Sequence, residues 1–177
     1  MRHYFLIILS ASTCLATSAL ADTTVQMREV NTQGKAETVG TVTISESPYG
    51  LVFSPQLKGL APGAHGFHVH ENPSCDPAEK DGKPIAAGSA GEHFDPAKTG
   101  KHGFPWGEGH LGDLPAMYVD SNGSATNPVL APRIKKLSEI SDRALMVHMG
   151  GDNHSDSPKP AGGGGARVAC GVISQAQ

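Results

Sequence analysis

The chain has 177 residues and a net charge of -3, with 38% hydrophobic and 18% charged side chains, a length that fits one domain and an apolar share that can bury a core. The 22 Gly and 13 Pro argue against a helical bundle. Aromatics at 5% and the lack of any basic run leave little for nucleic acid or an anionic membrane surface to bind.

In chain order, Arg2 precedes an apolar stretch from Phe5 to Leu9, then small residues, then Ala19-Leu20-Ala21, an A-x-A cleavage signal. Residues 1–21 are therefore expected to be a secretory signal peptide, not a membrane anchor. Ala11-Ser12-Thr13-Cys14 lacks the aliphatic residue of a lipoprotein signal. Cleavage leaves the 22–177 domain, 156 residues with a charge of -4, and no other stretch reaches the ~18 apolar residues of a spanning helix. It also leaves two cysteines, Cys75 and Cys170. An even pair in an exported protein favours a disulfide over free thiols or a metal pair. Its loop of about 95 residues is worth on the order of 4.7 kcal/mol in the chain-entropy account.

No segment of the mature chain sustains a 3.6-residue apolar period. Period-two stretches recur at Thr24–Val30, Val39–Ser45, Leu51–Leu57, Gly66–His70, Ala116–Asp120, Ala144–Met149 and Arg167–Ser174. Turn residues separate them, as in Ser47-Pro48-Tyr49-Gly50, Ala61-Pro62-Gly63 and Ser121-Asn122-Gly123. This punctuation predicts an all-β antiparallel sandwich or flattened barrel of seven or eight strands, with a short helical turn near Leu137–Ser141. Three connections, Glu71 to Glu92, His93 to Leu114 and Gly150 to Ala166, far exceed the usual ~4–6 residues. Long loops on a rigid sheet carry function. Gly162-Gly163-Gly164-Gly165 lacks the Lys-Ser/Thr of a phosphate loop and fits a flexible loop packed against other backbone.

The nine His decide the reading. In Gly66-Phe67-His68-Val69-His70 the alternation sends Phe67 and Val69 to the core, so both imidazoles face the other way. Ala144-Leu145-Met146-Val147-His148 repeats that logic, and three His on one outer wall can converge on a metal. A second set, His93, His102, His110 and Asp113, falls in a loop with Gly100, Gly103, Gly107 and Gly109. Three imidazoles and a carboxylate form a closed tetrahedral set suited to zinc. The bland alternative is a solvated polar loop.

Four segments then carry a family resemblance: Gly66-Phe67-His68-Val69-His70-Glu71, Gly91-Glu92-His93-Phe94-Asp95-Pro96, His110-Leu111-Gly112-Asp113-Leu114 and Ala169-Cys170-Gly171-Val172-Ile173. Together, and in order, they resemble copper-zinc superoxide dismutase over almost all of the mature chain, and most closely its bacterial periplasmic branch. The stretch Gly150-Gly151-Asp152-Asn153-His154-Ser155-Asp156, the four-glycine run and the longer Glu71–Glu92 loop are similar to that branch too. The resemblance implies a Greek-key β-sandwich or flattened barrel of about eight strands with long metal-binding loops, working in the periplasm.

It also implies roles. Copper would take His68, His70, His93 and His148, a tetragonal nitrogen set suited to Cu(II). Zinc would take His93, His102, His110 and Asp113, so that His93 bridges the metals, one of each per subunit. Asp152 matches the carboxylate that links a copper His to a zinc His, here His68 and His102. Arg167 matches the arginine that attracts and orients superoxide, and Cys75 and Cys170 match the family disulfide that anchors a loop near it. In the family's scheme two superoxide anions become dioxygen and hydrogen peroxide as copper is alternately reduced and oxidised. His93 releases copper on reduction, takes a proton and returns it to the nascent peroxide.

A substrate anion and a protein of charge -4 demand a local positive field. Arg167 is the first source, with Lys58, Lys80 and Lys83 as weaker ones. His65 resembles a family position that hydrogen-bonds backbone, and His154, Glu71 and Glu92 fit solvated loop residues. The branch contains monomers and dimers; Trp106 fits either an interface aromatic or a loop plug, and the first leans the expectation toward a homodimer. Two rivals stand beside the enzyme: a periplasmic copper/zinc-binding protein without turnover, and a structural sandwich domain. The second has no need of seven ligands plus Asp152.

Overall fold

A computed structural model describes residues 22–34 and 37–174; the signal-peptide reading of 1–21 falls outside the described residues. The strands are β1 (Asp22–Glu29), β2 (Thr38–Ser47), β3 (Gly50–Leu57), β4 (Gly63–His65), β5 (Phe67–His70), β6 (Ala78–Lys80), β7 (Lys83–Ile85), β8 (Met117–Val119), β9 (Val129–Ala131), β10 (Arg143–His148) and β11 (Arg167–Ile173). Seven of them form one antiparallel sheet in the order β5-β10-β11-β1-β2-β3-β9, curled into a half-barrel, and β4 pairs with β8. The run β11-β1-β2-β3 is a Greek key: a three-strand meander with a late strand returning beside its first member.

All seven period-two stretches are strands, and the turn expected near Leu137 is a single 3-10 turn at Leu137–Glu139. The alternation places the core as the sequence demands. Val25, Ile44, Phe53, Phe67, Val69 and Leu145 meet on the inner side, all but inaccessible, with Phe67 edge-on to Phe53 at 5.7 Å. Burial of each such side chain stabilises by about 1.5–3 kcal/mol. On the outer face Ala144, Met146 and Cys170 pack against Ala87 and Ala90, so part of the Glu71–Glu92 loop roofs β10 and β11. Among the described residues no helix is long and apolar enough to cross a membrane.

The sequence reading needs two corrections. The Glu71–Glu92 connection contains the hairpin β6–β7, and a 3-10 turn at Gly88–Ala90 follows it. Asp81 and Gly82, at φ 53° and 71°, supply the two left-handed residues that close such a hairpin. Both β4 and β9 are only three residues long, below the length at which alternation can be recognised.

Candidate metal centre

Strand β5 lies at one edge of the sheet, and its free edge organises the centre. The Val69 N–H donates to the Gly112 carbonyl at 2.9 Å, and the Val69 carbonyl accepts from Phe94 N–H at 2.8 Å. One residue whose side chain fills the core thereby straps down the loop that carries His93 and Asp113. The approach is close: a Cβ on Gly112 would lie 2.2 Å from the Val69 oxygen. His148 enters from β10 after a register shift at Val147/His148 that sets it opposite Arg167. A bulge of this kind re-aims a side chain beside a site.

Four of the imidazoles, those of His68, His70, His102 and His148, are oriented by a bond on one nitrogen, which frees the other. His70 and His148 turn Nδ1 toward the carbonyls of Gly91 (3.0 Å) and Gly165 (3.1 Å), and their Nε2 atoms then stand 3.3 Å apart. His68 donates from Nε2 to Asp152 Oδ2 at 2.7 Å, leaving Nδ1 for the cluster. His93 turns Nδ1 to Asp113 Oδ1 at 3.0 Å and its opposite edge to the first group. Asp113 Oδ1 is met as well by Nδ1 of His102 at 3.0 Å and of His110 at 3.2 Å. Metal bonds of about 2.0 Å in a tetrahedron imply ligand separations of about 3.3 Å, so this set is close to the required size. Within each set, His68/His70/His93/His148 and His93/His102/His110/Asp113, the donor atoms lie within 4.8 Å of one another. His93 belongs to both. The donor chemistry fits a metal: Nδ1 of His68 is buried, aimed into the cluster, and has no hydrogen-bond partner. Left unpaired, such an atom costs about 1–3 kcal/mol.

Asp152 joins the two sets from behind. Its Oδ2 accepts from His68, while Oδ1 accepts from His102 Nε2 at 2.8 Å and from the His154 N–H at 2.7 Å. Gly162, at φ +69°, passes so close that a Cβ would lie 2.1 Å from Oδ1, which gives one member of the four-glycine run its reason. Burial pushes the Asp152 and Asp113 carboxyls up. The imidazole hydrogen bonds outweigh it and hold both well below the usual carboxylate range. Burial, then the neighbouring His93, pushes His68 and His70 well below the ordinary imidazole value, and burial takes His148 to about 4. Neutral rings are what a metal ligand requires. His102 goes the other way: burial opposes its charge, but Asp113 and Asp152 raise it to about 9.

A cavity of about 400 Å³ opens over the first set and is lined by His70, His93, His148, Glu92, Lys80 and Arg167. Arg167 is half-buried and donates from Nη1 to the Ala87 carbonyl (2.6 Å) and from Nη2 to the Gly91 carbonyl (2.5 Å). Both acceptors flank the Gly88–Ala90 turn, and the Cys75–Cys170 disulfide, with Cα atoms 5.8 Å apart, ties the same connection to β11. Of the three lysines weighed as steering charges, Lys80 lines the cavity, 2.8 Å from Glu92, whereas Lys58 and Lys83 do not.

The remaining side chains are placed as follows. His65 bridges the carbonyls of His148 and Ala61 at 2.7 Å each, a backbone-binding role as expected. His154 departs from the solvated reading: it is half-buried, with its ring 5.2 Å from that of Phe104. Glu71 accepts from the Glu92 N–H at 3.2 Å, so it braces the two ends of the connection it opens. Trp106 is exposed and stacked on Phe104. Three contributors escaped the sequence reading: Ala87, Asp156, whose Oδ2 accepts from the His102 N–H at 2.9 Å, and Arg133. None lies in a repeated or clustered pattern that would mark it.

Two candidate ligand sets sharing one imidazole, on a Greek-key half-barrel and beside a cavity lined by Arg167, have the arrangement of a binuclear metal site. Residues 38–173 match the family model "Copper/zinc superoxide dismutase (SODC)". "Superoxide dismutase [Cu-Zn]" of Escherichia coli (strain K12) is 57% identical over 98% of this chain and 99% of that protein. The protein of the same name from Actinobacillus pleuropneumoniae is 59% identical over 88% and 83%. Among solved structures, the Cu/Zn superoxide dismutase from Brucella abortus superposes with a TM-score of 0.85 at 56% identity, covering 86% of this chain and 99% of that one. The chain belongs to the copper/zinc superoxide dismutase family. Its reaction is the dismutation of two superoxide anions, with two protons, to dioxygen and hydrogen peroxide, and its metals are copper and zinc.

Proposed function

We propose that the two ligand sets divide the metals as the donor chemistry suggests. His68, His70, His93 and His148 would hold copper, and His93, His102, His110 and Asp113 would hold zinc. The observation that carries this reading is the double membership of His93, with Nδ1 committed to the Asp113 set and the other edge of its ring turned to the all-nitrogen set. Bound copper would supply the one-electron couple that accepts an electron from one superoxide and donates one to the next.

The chain's own residues do the rest. Arg167 retains three N–H donors after its two backbone bonds, and they are available to hold an anion over His70, His93 and His148. His93 Nε2 is the site from which a proton can reach the forming peroxide, because its Nδ1 stays engaged by the Asp113 set. Asp152 fixes the tautomers of His68 and His102 together. Closed on all sides by protein ligands, the zinc set keeps His93 in place.

The 1–21 segment serves as a secretory signal, and the 22–177 domain works in the periplasm; the formed disulfide, a bond of oxidising compartments, supports this. The exposed Phe104–Trp106 stack supports a homodimer, whereas the Salmonella enterica relative, 58% identical, is described as monomeric. Pulse radiolysis of the 22–177 protein, loaded with copper and zinc and compared with its apo form, tests the assignment. Near-diffusional, copper-dependent superoxide loss is expected. Tight binding of both metals with no decay above the apo blank would make the centre a carrier and refute the roles given to Arg167 and His93.

A further inference from the structure

The imidazoles of the two sets are not supported equally. His68 and His102 are held by Asp152, and His70 and His148 by the Gly91 and Gly165 carbonyls; His93 is fixed by belonging to both sets. His110 has no such second bond. Its Nδ1 faces Asp113 at 3.2 Å, and among the described residues no protein group meets its Nε2. With 17% of its side chain accessible it is also the most exposed of the six; the others are at 6% or less. A ligating histidine ordinarily needs a partner on its distal nitrogen to fix tautomer and ring direction.

Support reaches His110 through its backbone instead. Arg133 donates from Nη1 to the His110 carbonyl at 3.1 Å and from Nη2 to the Gly109 carbonyl at 2.9 Å. Those carbonyls belong to the two peptide groups on either side of the His110 Cα. The first of these groups is held again through its N–H, which donates to the Lys101 carbonyl at 2.9 Å. A planar guanidinium that binds both peptides restrains both backbone torsions of His110, and so the direction of its Cα–Cβ bond.

The clamp is mounted on the sheet. Ala131 pairs with Leu51 at the end of β9, and the Leu51 N–H donates to the Ile134 carbonyl at 2.8 Å, so Arg133 stands between two points fixed to one buried residue. Gly50 allows this approach, since a Cβ there would come within 2.3 Å of the Ala131 oxygen.

We propose that Arg133 is a positioning residue for zinc, acting through the backbone of His110 in place of the missing bond to its ring. This rests on the reading that His93, His102, His110 and Asp113 hold zinc. It runs against simple electrostatics, by which a guanidinium beside a divalent cation should weaken binding.

The test is zinc affinity by chelator competition, with Co(II) absorption as a readout of tetrahedral geometry, on the disulfide-intact 22–177 protein. Wild type is compared with Arg133→Met, Arg133→Lys, His110→Ala and Arg133→Met/His110→Ala. Arg133→Met should weaken zinc about 10–100-fold and distort the cobalt spectrum, with Arg133→Lys intermediate and copper affinity changed less than about twofold. In the His110→Ala background the Arg133 substitution should cost nothing further, because the residue through which it acts is gone. Arg133→Lys keeps the charge and carries the comparison, in both backgrounds, if Arg133→Met does not fold. Unchanged or tighter zinc binding in the Arg133 variants would overturn the proposal, as would an equal loss in both backgrounds, which is what a general loop-folding role gives. A wild type without a tetrahedral cobalt spectrum would overturn the zinc assignment itself, a failure visible before any variant is made.

Discussion

Replacing Cys75 and Cys170 together by Ser should leave a folded protein that melts far lower. The bond spans 95 residues, for which the chain-entropy account gives about 4.7 kcal/mol. In a domain of this size each kcal/mol moves Tm by about 2–4 °C, so a fall of roughly 9–19 °C is expected. Calorimetric melts of both proteins, carrying the same metals, measure it. Activity at 25 °C should fall much less, because the connection that holds Arg167 has other anchors. Glu71 N–H donates to the Glu92 carbonyl at 3.1 Å, Asn72 N–H to the Ala90 carbonyl at 2.9 Å, and Ala87 and Ala90 are buried against Met146. A Tm change of less than about 4 °C would refute the entropic reasoning. A large loss of turnover in protein still folded at the assay temperature would refute the claim that the loop is held without the bond.

Arg167→Ala should retain both metals yet lose most of its activity, by about tenfold or more, together with much of its salt sensitivity, since steering of a charged ligand is screened by ions. Pulse radiolysis at several ionic strengths checks this, and unchanged kinetics would remove Arg167 from substrate capture. Glu46 gives a pH test away from the metals. The Leu137 N–H and then Lys136 hold its carboxylate below its ordinary 4.5. Its folded pKa being lower, its stabilisation is present above about pH 4.5 and is lost as pH falls through the folded value. Urea unfolding of wild type and Glu46→Gln should therefore show a stability gap at pH 7 that closes toward pH 3, and a gap independent of pH would contradict the assignment.

How far the site was legible depended on the kind of pattern each residue makes. Strand alternation is a property of adjacent residues, so Phe67-His68-Val69-His70 announced which side chains turn from the core, and the structure buries Phe67 and Val69 there. The density of His93, His102, His110 and Asp113 likewise marked one site. That His93 serves both sets is a fact of three dimensions. It follows from the edge of β5, where His70 faces His93 and His68 faces Asp113 across isolated bridges, and spacing along the chain does not contain it. The hairpin β6–β7 was signalled by Asp81-Gly82, but its strands are short and polar, and Pro84 obscures any alternation.

Arg133 marks the limit of such reading. It contributes no ligand and no charge to a cluster, and it is separated by 23 residues from the carbonyl it holds. Its role arises because a loop ligand too exposed to find a partner for its ring must be oriented through its backbone. Only a donor mounted on the sheet can do that without moving with the loop. Arg167 obeys the same logic from the other direction. Its own strand fixes its backbone, while carbonyls of the roofing loop fix its guanidinium, and Ala87 adopts a left-handed φ of 50° at the position that presents one of them. In a protein of net negative charge the proposed capture of an anion rests on that placement. Lys80, the other cation lining the cavity, is already paired with Glu92 at 2.8 Å, whereas Arg167 keeps three N–H donors beyond its two backbone bonds.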